Sequence, residues 1–63
     1  MKYAYQCLVY LADGLHVSQV ETCPTKDEAV ARAEAWRAVG HKAQAFFVAV
    51  DMVAGEIRHT PLD

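Results

Sequence analysis

The chain has 63 residues, 54% of them apolar, and a formal net charge of −2. That is room for one domain over residues 1–63, and not for a dinucleotide fold or a two-lobed enzyme, because a domain near this size buries only about 60% of the surface its unfolded chain exposes. The apolar fraction excludes a disordered chain, and the mildly acidic balance argues against a protein that grips nucleic acid through its phosphates.

Tyr3 to Ala12 is rich in tyrosine, valine and leucine, the composition of a strand. Asp13-Gly14 then stands between two apolar runs, the signal for a two-residue hairpin turn in which both residues take positive φ. Leu15 to Thr22 reads as the return strand. A two-residue loop sets the register, so that Ala12 faces Leu15, Tyr10 faces Val17, Leu8 faces Gln19, Cys7 faces Val20 and Ala4 faces Cys23. One hairpin face then carries Tyr3, Tyr5, Cys7, Val9, Leu11 and Val20. The other carries Ala4, Leu8, Tyr10, Leu15, Val17 and Cys23, with Gln6, Gln19 and Glu21. In that register Cys7 and Cys23 lie on opposite faces, which excludes a disulfide between them and leaves two buried or half-buried thiols.

Pro24-Thr25-Lys26-Asp27-Glu28 opens a helix. Thr25 suits the N-cap and Glu28, three residues on, completes a capping box. The helix is expected to run to about Val39, with Gly40 as the residue just past its end. Ala29, Ala33 and Trp36 form one stripe at helical spacing, flanked by Val30 and Val39. Lys42 to Met52 is a third strand, and Ala45 to Val50 is apolar on both faces, as in a central strand. Val53-Ala54-Gly55-Glu56 can close a second hairpin, with Glu56 to Thr60 as a short edge strand that Pro61 ends.

These elements assemble into an α+β domain, β-β-α-β(-β), with an antiparallel sheet of order 4-3-1-2 and one helix on one face. On the third strand the even positions are the bulkier, which assigns Phe46, Val48 and Val50 to the core with Tyr5, Cys7, Val9, Leu11, Val20, Val30, Ala33 and Trp36. The second sheet face is left uncovered. It is expected to display Leu8, Tyr10, Val17, Phe47, Ala45 and Ala49, rimmed by Gln6, Gln19, Glu21 and Asp51. An apolar centre with a polar rim is how interfaces are built, and a contiguous patch of this kind is unusual on a monomer.

No constellation of catalytic residues stands out. Ser18 is the sole serine and lies on a strand, the glycines are accounted for by turns and a cap, and His16, His41 and His59 stand apart as solvated side chains. Cys7 and Cys23 form no Cys-x-x-Cys pair, so neither a metal site nor a cofactor is expected. No signal peptide is read at the start, and the longest apolar run is far shorter than the roughly 20 residues that span a membrane. A cytoplasmic setting with reduced cysteines follows as the expectation.

The stretch Thr25 to Val50, with Ala29, Ala33 and Trp36 followed by VGHKAQAFFV, resembles the helix–glycine–strand half of SPOR-type sheet domains. The resemblance covers less than half of the chain, the element order differs, and it transfers no residue roles. It implies a sheet face that binds glycan strands.

The expected function is therefore that of a small non-enzymatic protein-interaction module, a homodimer, with Leu8, Tyr10, Val17, Gln19, Glu21, Phe47 and Asp51 as the contact residues. A phage- or mobile-element-encoded inhibitor of a host or defence protein is the concrete form that its size suggests. A small-ligand or glycan-binding module using the open face is one alternative. An RNA-binding sheet that stacks bases on Tyr10 and Phe47 is another, disfavoured because Glu21 and Asp51 are expected to flank those rings.

Overall fold

A computed structural model describes residues 2–62. In chain order it contains β1 (Lys2–Tyr10), β2 (Val17–Cys23), α1 (Lys26–Ala38), β3 (Lys42–Asp51) and β4 (Glu56–Pro61). The four strands form one antiparallel sheet of order β2-β1-β3-β4, with the helix packed on one face. This is the expected α+β architecture, including the fourth strand.

The helix ends are set by the residues the sequence singles out. Thr25 has extended backbone and its hydroxyl accepts from the Glu28 N–H at 3.2 Å. At the other end the Gly40 N–H donates to the Arg37 carbonyl at 3.0 Å and the His41 N–H to the Trp36 carbonyl at 3.1 Å. That pair of bonds is a Schellman motif, and it needs the left-handed φ of +95° that Gly40 supplies.

The first hairpin departs from the expected two-residue turn. A type I′ turn needs positive φ at both central residues, and no residue other than glycine has one among those described. Asp13 instead turns its carboxylate back on the loop. Its Oδ1 accepts from Leu15 N–H at 2.8 Å and His16 N–H at 3.1 Å. The loop closes where the Leu11 N–H donates to the His16 carbonyl at 2.8 Å. Asp51 does the same for the second hairpin, accepting from Val53 and Ala54 N–H at 3.0 and 3.1 Å.

Tyr10 faces Val17 as expected, but a bulge then inserts one residue into β2, and every pair beyond it moves by one. Leu8 faces Val20, Cys7 faces Glu21 and Tyr5 faces Cys23. A one-residue shift exchanges the two faces of a strand. Val20, assigned above to the core, lies instead on the uncovered face and is 52% exposed. Cys23 and Glu21 move to the helix side. The two cysteines therefore share a face, contrary to the sequence reading; both are buried and both are free thiols.

The faces of β3 are also reversed. Tyr5 faces Phe47, Cys7 faces Ala45 and Val9 faces Ala43, so the odd positions of β3 lie under the helix. The core is Cys7, Val9, Cys23, Ala29, Ala33, Ala43 and Ala45, with Tyr5, Val30, Trp36 and Leu62 packed against it. Phe46, Val48 and Val50 stand on the opposite side of the sheet, and Leu11 is exposed. The physical reason is volume. The helix residues that are fully buried, Ala29 and Ala33, are small, and the small residues Ala43 and Ala45 on β3 match them, with Val30 and Trp36 packing at the margin.

Candidate functional site

Register decides what the uncovered sheet face displays. Cross-strand partners share a face, and residues alternate along each strand. β1 contributes Lys2, Ala4, Gln6, Leu8 and Tyr10; β2 contributes Val17, Val20 and Thr22. The even positions Lys42 to Val50 come from β3, and Ile57, His59 and Pro61 from β4. Phe46 and His59 meet edge to face, with ring centroids 5.9 Å apart. Val48 lies at the centre, buried to 5% exposure without belonging to the core beneath the helix. The bulk that the helix does not cover is thus on this side. The flat molecule measures 39 × 25 × 16 Å, so its broad faces can accommodate the ~800 Å² that a standard interface takes from each partner.

Of the residues singled out in the sequence, Leu8, Tyr10 and Val17 are together on this face. Gln19, Glu21, Phe47 and Asp51 are on the helix side. Glu21 is engaged there: Arg32 donates to one of its oxygens, and the Trp36 indole N–H to the other at 2.6 Å. The Arg32 guanidinium and that indole hold its carboxyl below the ordinary glutamate range. Phe47 stacks on Tyr3 at a centroid distance of 5.4 Å, and the Asp51 carboxylate caps its own loop. Missed in the sequence were Val20, Phe46, Val48, Val50, Ile57 and His59. The small residues facing one another on α1 and β3 were the signal that would have found the last strand faces, since alanine pairs with alanine across a close contact.

The charge on the open face changes with the register. Among the described residues no carboxylate lies on it. Asp13 is in a loop, Asp27, Glu28 and Glu34 are at or on the helix, and Glu21, Asp51 and Glu56 have helix-side register. Lys2 and Lys42 are at its two ends. Next to Lys42 a groove of about 600 Å³ is lined by Tyr10, Phe46, Gln44 and Pro61 together with Arg37 and His41 at the helix end. Arg37 donates from Nε to the Ala43 carbonyl at 2.8 Å, which fixes its guanidinium at the rim.

No group of three or more His, Cys, Asp or Glu among the described residues is arranged to hold a metal ion, and no described helix is long and apolar enough to cross a membrane. The chain matches no protein-family model, no curated protein and no solved structure.

Proposed function

We propose that this chain is a small non-enzymatic protein-interaction module that self-associates as a homodimer and offers its uncovered sheet face to a protein partner. The observation that supports this reading is the face itself: Leu8, Tyr10, Val20, Phe46, Val48, Val50 and Ile57 share it with the uncharged Gln6 and Gln44, and no described carboxylate lies among them. An uncharged, largely apolar centre with lysines at its margin suits a partner surface that is largely apolar with an acidic rim. Inhibition of the partner, by covering part of its surface, is the form of activity that this reading proposes.

The test is capture from native cell extract on immobilised protein, comparing wild type with a Leu8→Asp, Ile57→Asp variant and a helix-face Glu34→Lys variant, each with native circular dichroism. The expected result is a protein retained by wild type and by Glu34→Lys and lost with the sheet-face variant. Retention of the same proteins by all three sinks the reading.

A second reading is favoured by one observation. Glu21 and Asp51, expected to repel phosphate beside the aromatic rings, are on the other side of the sheet, whereas Lys42, Arg37 and His41 line the groove beside Tyr10 and Phe46. Bases stacking on such rings is how sheet domains hold single-stranded RNA. Binding of an oligouridine that weakens with salt and with Tyr10→Ala supports this second reading, and no binding at 50 mM salt removes it.

A further inference from the structure

We propose that the outer edge of β2 is the seam of a two-fold dimer, in which β2 pairs antiparallel with β2 of a second copy about Val20. This rests on the self-association in the reading above and adds where the contact lies and what it consists of. The argument begins with the backbone groups the sheet leaves unpaired. Along an antiparallel strand, alternate residues turn their N–H and C=O groups to one neighbour and the remainder to the other. The bond from Leu11 N–H to the His16 carbonyl places the odd residues of β1 in hydrogen-bonded pairs with β2. Gln19, Glu21 and Cys23 are therefore the residues bonded inward, and Val20 and Thr22 turn their backbone groups out to solvent.

The two edges of the sheet differ in how they are protected. On β4 the bond from Leu62 N–H to the Ala45 carbonyl places Ile57, His59 and Pro61 as the outward residues. Pro61 has no N–H to offer, and Glu56 and Arg58 add charge along that strand, so this edge is a poor template for another chain. β2 has neither proline nor lysine. Its one charge, Glu21, is held on the helix side by Arg32 and Trp36. The bulge between Val17 and Gln19 marks one end of the bare stretch and Pro24 the other.

The bare stretch is complementary to itself. A two-fold axis perpendicular to the sheet keeps faces together, so residue numbers must pair by even sums. Centred on Val20, Val20 meets Val20 of the second copy on the open face and exchanges both backbone bonds with it. Gln19 meets Glu21 on the helix side, an amide donor opposite a carboxylate. Moving the centre to Glu21 would set two carboxylates opposite each other, a repulsive cross-strand pair. The Val20-centred dimer is a continuous eight-stranded sheet with both helices on one side. It joins the two open faces into one apolar surface twice as wide, free for the partner.

The experiment is light-scattering mass against concentration for wild type, Thr22→Pro, Val20→Lys and, on the far edge of the same face, Ile57→Lys, each checked for native circular dichroism. Thr22→Pro removes an outward N–H that no bond within the chain uses. The expected result is dimeric wild type and Ile57→Lys, with dissociation constants at least ~10-fold weaker for both β2 variants. If Ile57→Lys is monomeric and the β2 variants remain dimeric, the seam is wrong and self-association through the open face stands. A monomeric wild type at 100 μM overturns both. Hydrogen exchange on wild type decides the matter if the variants do not fold: Val20 and Thr22 amides must slow as concentration rises, and fast exchange at all concentrations overturns the seam.

Discussion

Glu21 shows how much one side chain organises in a core this small. Its two oxygens tie β2 to the middle and the last turn of α1 through Arg32 and Trp36. Arg32 is half exposed, so its share of the stabilisation is the small one of a solvent-screened surface ion pair. The indole bond is better shielded, and losing it leaves a half-buried N–H without its acceptor. Glu21→Ala is expected to cost about 1–2 kcal/mol in urea denaturation, and Arg32→Ala much less. The acid dependence follows from the same contacts. The folded carboxyl titrates below its unfolded value, so its stabilisation is complete above the ordinary glutamate range and is lost as pH falls through that range to the folded value. Glu21→Gln flattens this part of the stability–pH curve, and an unchanged slope would remove Glu21 as its source. The two thiols behave oppositely. Burial, with Glu21 nearby, pushes both Cys7 and Cys23 above the ordinary thiol value, so at neutral pH both stay protonated. Ellman's reagent should react with neither until urea unfolds the chain; rapid reaction in buffer contradicts that.

At the level of elements, the ends of α1 were legible to within a residue, because capping is local chemistry: the Thr25 hydroxyl accepting from the Glu28 N–H at one end, without the reciprocal Glu28 side-chain bond of a full capping box among the described residues, and Gly40 at the other. Strand order was legible because β1 and β3 are apolar on both faces and belong in the middle. The open face was legible in existence and only partly in content. A bulge next to Ser18 has no sequence signature of its own, yet it moved Val20 to the open face and Glu21 and Cys23 under the helix. The β3 face was misassigned by equating bulk with burial. Here the buried side is alanine against alanine, and the bulk of Phe46, Val48 and Val50 faces away from the helix. This packing makes a sharp prediction. Ala33 is fully buried where α1 meets the sheet, so Ala33→Leu overpacks the contact and costs about 1–3 kcal/mol. Ala35, exposed on the same helix, tolerates leucine within about 0.5 kcal/mol. Equal melting points for the two variants would mean the helix does not sit close to the sheet.

For the molecule as a whole, the sorting of charge matters more than its sum. A chain of net charge −2 keeps every described carboxylate off one broad face and leaves Lys2 and Lys42 at that face's ends. The charge placed on the open face is therefore opposite in sign to the net charge of the chain, a sorting that composition alone does not show. Rim charges of this kind act mainly on encounter and on salt dependence, while the apolar centre sets how long a complex lasts. For an acidic protein partner, Lys42→Glu is expected to slow association by roughly 10-fold at low salt and to leave dissociation nearly unchanged. Leu8→Asp, at the apolar centre, should speed dissociation instead. Surface plasmon resonance at 20 and 300 mM salt separates the two, because the wild-type and Lys42→Glu association rates converge at high salt, where the Debye length is only about 6 Å. A Lys42→Glu effect that persists at high salt and appears in dissociation would mean Lys42 is a buried contact of the interface rather than part of its rim.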